Sequence, residues 1–133
     1  MSTVNIGSTD FERTITDNEL VIVDFWAEWC GPCKAFAPVF ERASESHGDV
    51  VFAKVDTETE QQLAGAAQIT SIPTLMAFKK GTLVYREAGA LPPAALEQLI
   101  TGLRDLDLDA ALAEHAKEQA EGDASPNGQE PPA

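Results

Sequence analysis

The stretch VDFWAEWCGPCKAFAPVF, residues 23–40, holds both cysteines of a 133-residue chain, Cys30 and Cys33, within four positions. Leu20–Trp26 is a near-continuous apolar run broken only by Asp24, the pattern of a central strand covered on both faces. Pro32 is tolerated in a first helical turn, and residues 33–46 read as a helix with Phe36, Val39, Phe40 and Ala43 as its buried stripe. Pro38, inside that pattern, is expected to bend it. A strand ending near Trp26 and a helix beginning near Pro32 put Cys30 at the helix entrance and Cys33 in its first turn. That spacing brings both side chains to one side, so a disulfide can close and reopen with little backbone motion. The free N–H groups and the positive end of the helix favour a thiolate on Cys30, making it the better nucleophile. Cys33, one turn in and more enclosed, suits a resolving thiol that releases a mixed disulfide.

Alternative chemistry fits less well. A closed structural zinc site needs four ligands, and beyond the cysteines the chain offers only His47 and His115, at no finger-like spacing. Both histidines read as surface residues. Asp24 shares a strand face with Leu20, Ile22 and Trp26, while Val21, Val23 and Phe25 take the other face. Burial there disfavours its charged form and raises its pKa toward a range useful for proton transfer from Cys33, directly or through a water. A buried aspartate satisfied by backbone donors or by a lysine is equally compatible with the pattern. Lys54, in VVFAKVD (residues 50–56), is either that partner or a lysine snorkelling from a strand edge. Trp29 falls in the loop beside Cys30 and reads as exposed contact surface; Trp26, at the strand's end, reads as core.

Outward from this junction, short apolar runs alternate with helical patterns, which predicts an α/β fold. Thr9 and Glu12 read as a capping box opening a first helix with Phe11 and Ile15 on one face. Residues 50–56 read as a strand, 59–67 as a short helix, and SIPTLMAF (71–78) as the start of a third core strand. KKGTLVYRE (79–87) closes a hairpin through Lys80 and Gly81, and Pro92 and Pro93 open a helix to about residue 103. Residues 105–133 carry eight acidic residues and one basic, Lys117, out of a total net charge of −13. Residues 107–121 prolong or restart a helix with Leu108, Ala111, Leu112 and His115 in helical spacing, and 121–133 read as disordered. The acidic balance opposes nucleic acid and anionic lipid as partners. No run approaches the roughly 18 apolar residues of a membrane span, and the N-terminus shows no secretory signal. One close cysteine pair points to a reducing, intracellular compartment.

These residues together resemble the thioredoxin family. VDFWAEWCGPCK carries its signature, and the likeness continues through AKVDTE (53–58), IPTLMAFKKG (72–81) and AGAL (88–91), about residues 1–104 in all. The resemblance implies a thioredoxin fold, a central mixed sheet of about five strands flanked by about four helices. It divides the chain into a domain of residues 1–104 and an acidic extension of 105–133. It implies Cys30 as attacking thiolate, Cys33 as resolving thiol, Asp24 as buried acid/base and Lys54 as its modulating neighbour. A cis peptide bond before Pro73 is implied, with Trp29, Gly31, Pro32, Ile72, Pro73, Gly89 and Ala90 forming the surface that receives an extended substrate segment. The Gly-Pro between the cysteines matches the reducing members, so the expectation is a cytoplasmic, monomeric reductase of protein disulfides. Its partners would be disulfide-containing proteins and an NADPH-dependent thioredoxin reductase, with no metal and no cofactor bound by the chain itself. Competing readings are an accessory binding module without turnover and a periplasmic or secreted disulfide catalyst. AFAP after Lys34 and the acidic extension depart from the short family pattern.

Overall fold

The computed structural model describes residues 2–124, with side chains described through residue 118. Five strands, β1 (Val4–Asn5), β2 (Leu20–Trp26), β3 (Val51–Asp56), β4 (Thr74–Lys79) and β5 (Thr82–Ala88), alternate with α1 (Phe11–Asp17), α2 (Gly31–Ser46) and α3 (Gln61–Ala66). Helices α4 (Pro93–Asp105) and α5 (Leu108–Ala124) close the chain order. The sheet order is β1-β3-β2-β4-β5. β1, β3 and β2 are parallel, whereas β4 and β5 are antiparallel additions. The sheet is therefore mixed, as expected.

Alternation along β2 sorts the core into two halves. Leu20 and Ile22 pack with Phe36, Phe40 and Ala43 of α2 and Leu96, Ile100 and Leu103 of α4. Val21, Val23 and Phe25 pack with Ile15 of α1, and Leu63, Ala67 and Ile69 in and after α3 join that side. Helices thus cover both faces, which is why β2 reads as an unbroken apolar run.

Local expectations mostly hold, with three differences. The capping box does not form: α1 begins at Phe11, its N-cap is Asp10, and no side chain caps it. The Asp10 carboxylate instead accepts from the Gly7 N–H at 2.9 Å, turned back into the preceding loop. Strand β1 escaped the pattern because two residues cannot display a period of two. Lys79, which no local pattern singled out, is buried, its Nζ donating to the carbonyls of Leu103, Arg104 and Leu106 at 2.6, 3.2 and 2.7 Å. The hairpin itself turns through Lys80 (φ 52°) and Gly81 (φ 81°), the left-handed pair of a tight two-residue loop.

Within the described residues the extension is helical from Leu108 to Ala124. After Leu106 the chain turns extended and restarts as α5, with Leu108 buried and Leu112 exposed. The disorder expected at the end concerns residues 125–133, which lie outside the described residues, and 121–124, which close α5.

Candidate active site

The cysteines lie where β2 hands over to α2. Cys30 is the N-cap of α2, with extended backbone, and its Sγ accepts from the Cys33 N–H at 3.2 Å. A sulfur here occupies the place usually taken by a serine or aspartate oxygen, answering one of the helix's unpaired N–H groups. Pro32 costs nothing in this first turn because its missing N–H would be unpaired anyway. Cys30 and Cys33 are joined as a disulfide, with Cα atoms 5.2 Å apart. The expected contrast in exposure is small in this oxidised form: Cys30 is 5% exposed and Cys33 2%. Helix α2 runs on through Pro38 without interruption.

Around the pair, Ala27, Trp26 and Ile72 close a small apolar cluster. Cys30 Sγ sits 3.8 Å from the Ile72 carbonyl oxygen, a contact only, since a disulfide sulfur has no proton to donate. The Ile72–Pro73 bond is cis. Pro73 is tied to the far side of the site by the Gly89 N–H, which donates to its carbonyl at 2.7 Å, Gly89 standing at φ 106°. Gly31, Pro32, Gly89 and Ala90 are exposed, Ile72 is half-buried and Pro73 is buried. Trp29 is 69% exposed, its Nε1 donating to Glu58 at 3.1 Å. Beside it a cleft of about 330 Å³ is lined by Trp29, Thr57, Ile69, Thr70, Ser71 and Ile72. Sequence reading missed Glu58 and the 69–71 segment because no spacing marks loops that meet the site from 29 and about 40 residues away.

Asp24 is fully buried, and neither carboxylate oxygen has a hydrogen-bond partner among the described residues. Backbone donors therefore do not satisfy it. Burial pushes its pKa up to about 7, and the nearby Lys54 ammonium holds it back from rising further. Lys54 is its directly paired neighbour across β2 and β3. The lysine is half-buried, with Nζ 4.7 Å from the centre of the Trp26 ring, so it is more than a snorkelling edge residue. Trp26 is half-buried rather than core, and its indole N–H is buried without a partner among the described residues.

His47 has a structural place: its Nδ1 accepts from Arg104 at 2.7 Å, and its Nε2 donates to Glu97 at 2.8 Å. Arg104 also forks onto Asp49, with both bonds at 2.7 Å. His115 is exposed. Among the described residues no acid, histidine and cysteine group is arranged to hold a metal, and no helix is long and apolar enough to cross a membrane.

Known proteins resemble this chain in sequence and fold. The family model named Thioredoxin matches residues 2–102. A Streptomyces coelicolor relative, a putative thioredoxin 2, is 51% identical over 120 residues, 90% of each chain, so the likeness runs past Arg104 into the extension. A bifunctional thioredoxin reductase/thioredoxin of Mycobacterium leprae is 45% identical over 107 residues, 77% of this chain and 22% of that one. The solved structure of Plasmodium falciparum thioredoxin matches at a TM-score of 0.69 and 42% identity, over 74% of this chain and 96% of that chain. Family model, sequence identity and fold agree, and the chain belongs to the thioredoxin family of thiol-disulfide oxidoreductases.

Proposed function

We propose that Cys30 is the attacking sulfur and Cys33 the resolving one in the reduction of protein disulfides by this chain. In the dithiol form, the Cys30 thiolate attacks one sulfur of a substrate disulfide. A Cys30–substrate S–S bond forms, the substrate S–S bond breaks, and the first substrate sulfur leaves as a thiolate that takes a proton. Cys33, deprotonated, then attacks Cys30 Sγ. This closes the Cys30–Cys33 disulfide and releases the second substrate thiol, so two electrons have passed to the substrate. The position of Cys30 as N-cap, its sulfur facing the first N–H groups of α2, is the observation that carries the assignment.

Asp24 takes the Cys33 proton, directly or through a water. A carboxyl group with a pKa near 7 is half ionised at neutral pH and matched to that exchange. Lys54 modulates it from the neighbouring strand. Trp29, Gly31, Pro32, Ile72, Pro73, Gly89 and Ala90 form the face on which an extended substrate segment lies. The Ile72 backbone there can pair with substrate as an added strand would.

The electrons come from NADPH through a thioredoxin reductase, and that both activities share one chain in the Mycobacterium leprae relative supports this partnership. We place the protein in the cytoplasm, because a close cysteine pair separated by Gly-Pro suits a reducing compartment, and we read it as a monomer. The acidic residues beyond the family domain are read as a solvated extension. The test is insulin reduction with NADPH and a thioredoxin reductase, against a control with dithiothreitol alone. Turnover that depends on the chain and on NADPH supports the reading. A folded chain that adds nothing to the control sinks it.

A further inference from the structure

Helix α3 ends in a way that glycine usually makes possible. Gln68 stands at φ 58°, its N–H donates to Gly65 O at 3.0 Å, and the Ile69 N–H donates to Ala64 O at 3.0 Å. This paired closure is a Schellman motif with a glutamine, not a glycine, in the left-handed position. The motif satisfies the carbonyls of residues 64 and 65 but offers nothing to those of Ala67 and Gln68. Arg86 supplies both: one guanidinium nitrogen donates to Ala67 O at 2.7 Å and the other to Gln68 O at 2.6 Å. Arg86 can reach them because it pairs with Met76, whose side chain lies in the α1 and α3 half of the core. A fixed planar fork on two successive carbonyls, at the negative end of a helix, is an arrangement lysine cannot reproduce.

Beyond Gln68 lies the segment 69–73, which has no regular structure of its own. It lines the cleft beside Trp29 with Ile69, Thr70, Ser71 and Ile72, and it delivers Ile72 to the disulfide. At its far end it is held by the Thr74 hydroxyl on Ser71 O and by the Gly89 N–H on Pro73 O. At its near end the Ile69 N–H holds it to Ala64 O, and Arg86 adds the two side-chain bonds just before it. We infer that Arg86 is a positioning residue for substrate docking: by clamping the carbonyls of residues 67 and 68 it sets the direction in which the 69–73 segment enters the site. The inference rests on the reading of Ile72 and Pro73 as part of the docking face. Arg86 touches neither cysteine, so it acts on the fit of a polypeptide substrate and not on thiol chemistry.

Two measurements on the full chain test this. In steady-state insulin reduction, Arg86→Ala is expected to raise KM about three- to tenfold with kcat within about twofold, and Arg86→Lys to fall between. The pre-reduced variant should react with the small aromatic disulfide 5,5′-dithiobis(2-nitrobenzoate) within about twofold of the parent rate, since that probe needs no extended docking. Unchanged insulin KM, or equal slowing on both disulfides, overturns the inference. Independently of any activity, amide hydrogen exchange at Gln68 and Ile69 should quicken at least about tenfold in Arg86→Ala while core strand amides keep their protection. Unaltered exchange at those two amides also overturns it. A parent chain inactive on insulin would instead count against the assigned function, with the exchange result still deciding on the clamp.

Discussion

Asp24 and the two cysteines make the sharpest claims at the scale of single residues. Cys33→Ser is expected to accumulate a mixed disulfide on Cys30 when mixed with a disulfide substrate, whereas Cys30→Ser forms none. Intact-protein mass spectrometry reads this directly, and an adduct on Cys33 instead would reverse the two roles. For Asp24 the folded pKa, about 7, lies above that of an ordinary carboxyl group. Between about pH 4 and 7 the folded state therefore keeps a proton that the unfolded state has lost. Stability is full below the unfolded pKa and falls as pH rises through 7, by about 1.4 kcal/mol per unit and about 4 kcal/mol at most. An asparagine at this position has no charge to bury. The Asp24→Asn variant with its disulfide intact should match the parent near pH 4 and exceed it by a few kcal/mol at pH 8, in urea unfolding. Its mixed disulfide should resolve more slowly near neutral pH. Equal pH profiles of stability would show that the carboxylate is solvated after all.

At the scale of elements, the packing of α4 depends on charges that propensity does not reveal. The buried Lys79 ammonium answers three carbonyls at the end of α4 and just beyond it. Lys79→Met keeps the apolar stem but removes the donor from the carbonyls of Arg104 and Leu106 and one of two donors from that of Leu103, which is expected to cost about 2–3 kcal/mol in urea unfolding. A loss below about 0.5 kcal/mol would mean that water replaces the lysine at little cost. The Asp49–Arg104 pair that joins the same helix to the turn after α2 is different, because both side chains are solvent-exposed to a third or more. The fork holds Asp49 at about 2, so its contribution is present above the usual carboxylate pKa and is lost as pH falls through 2. After solvent screening it is worth at most about 1 kcal/mol. Asp49→Asn should show a small loss at neutral pH that shrinks in about 1 M salt, whereas Lys79→Met should be indifferent to salt.

For the whole molecule the question is where the fold ends. Leu106 and Leu108 lie past Arg104, yet the Leu106 carbonyl bonds Lys79 and Leu108 is 7% exposed. A truncation after Arg104 is expected to lose about 2–4 kcal/mol, from one buried leucine and one charged hydrogen bond. A truncation after Ala116 keeps both and should stay within about 0.5 kcal/mol of the full chain. Both should still reduce insulin. Lys79 pairs with Leu20 at one end of β2, while Thr74 pairs with Phe25 at the other, where the cysteines lie. Denaturant unfolding of the two truncations, measured side by side, locates the boundary. Equal stability would place it at Arg104.

Local pattern was enough to determine the strand-to-helix junction, the placing of Cys30 and Cys33, the burial of Asp24 and the exposure of Trp29. Each comes from periodicity and helix-end chemistry within a few residues. The family signature added the cis bond before Pro73 and the face around it. Which groups meet was decided only by the tertiary structure. Periodicity tells which side of an element is buried but not what covers it. Strand register set Lys54 beside Asp24, and the order β3-β2-β4 brought Ile72 to Cys30 from 42 residues away. Nothing in the local pattern singled out Lys79 or Arg86 within the hairpin stretch KKGTLVYRE. Their roles arise because each is aimed at carbonyls near the C-terminal end of a helix, Lys79 at those of Leu103, Arg104 and Leu106 and Arg86 at those of Ala67 and Gln68.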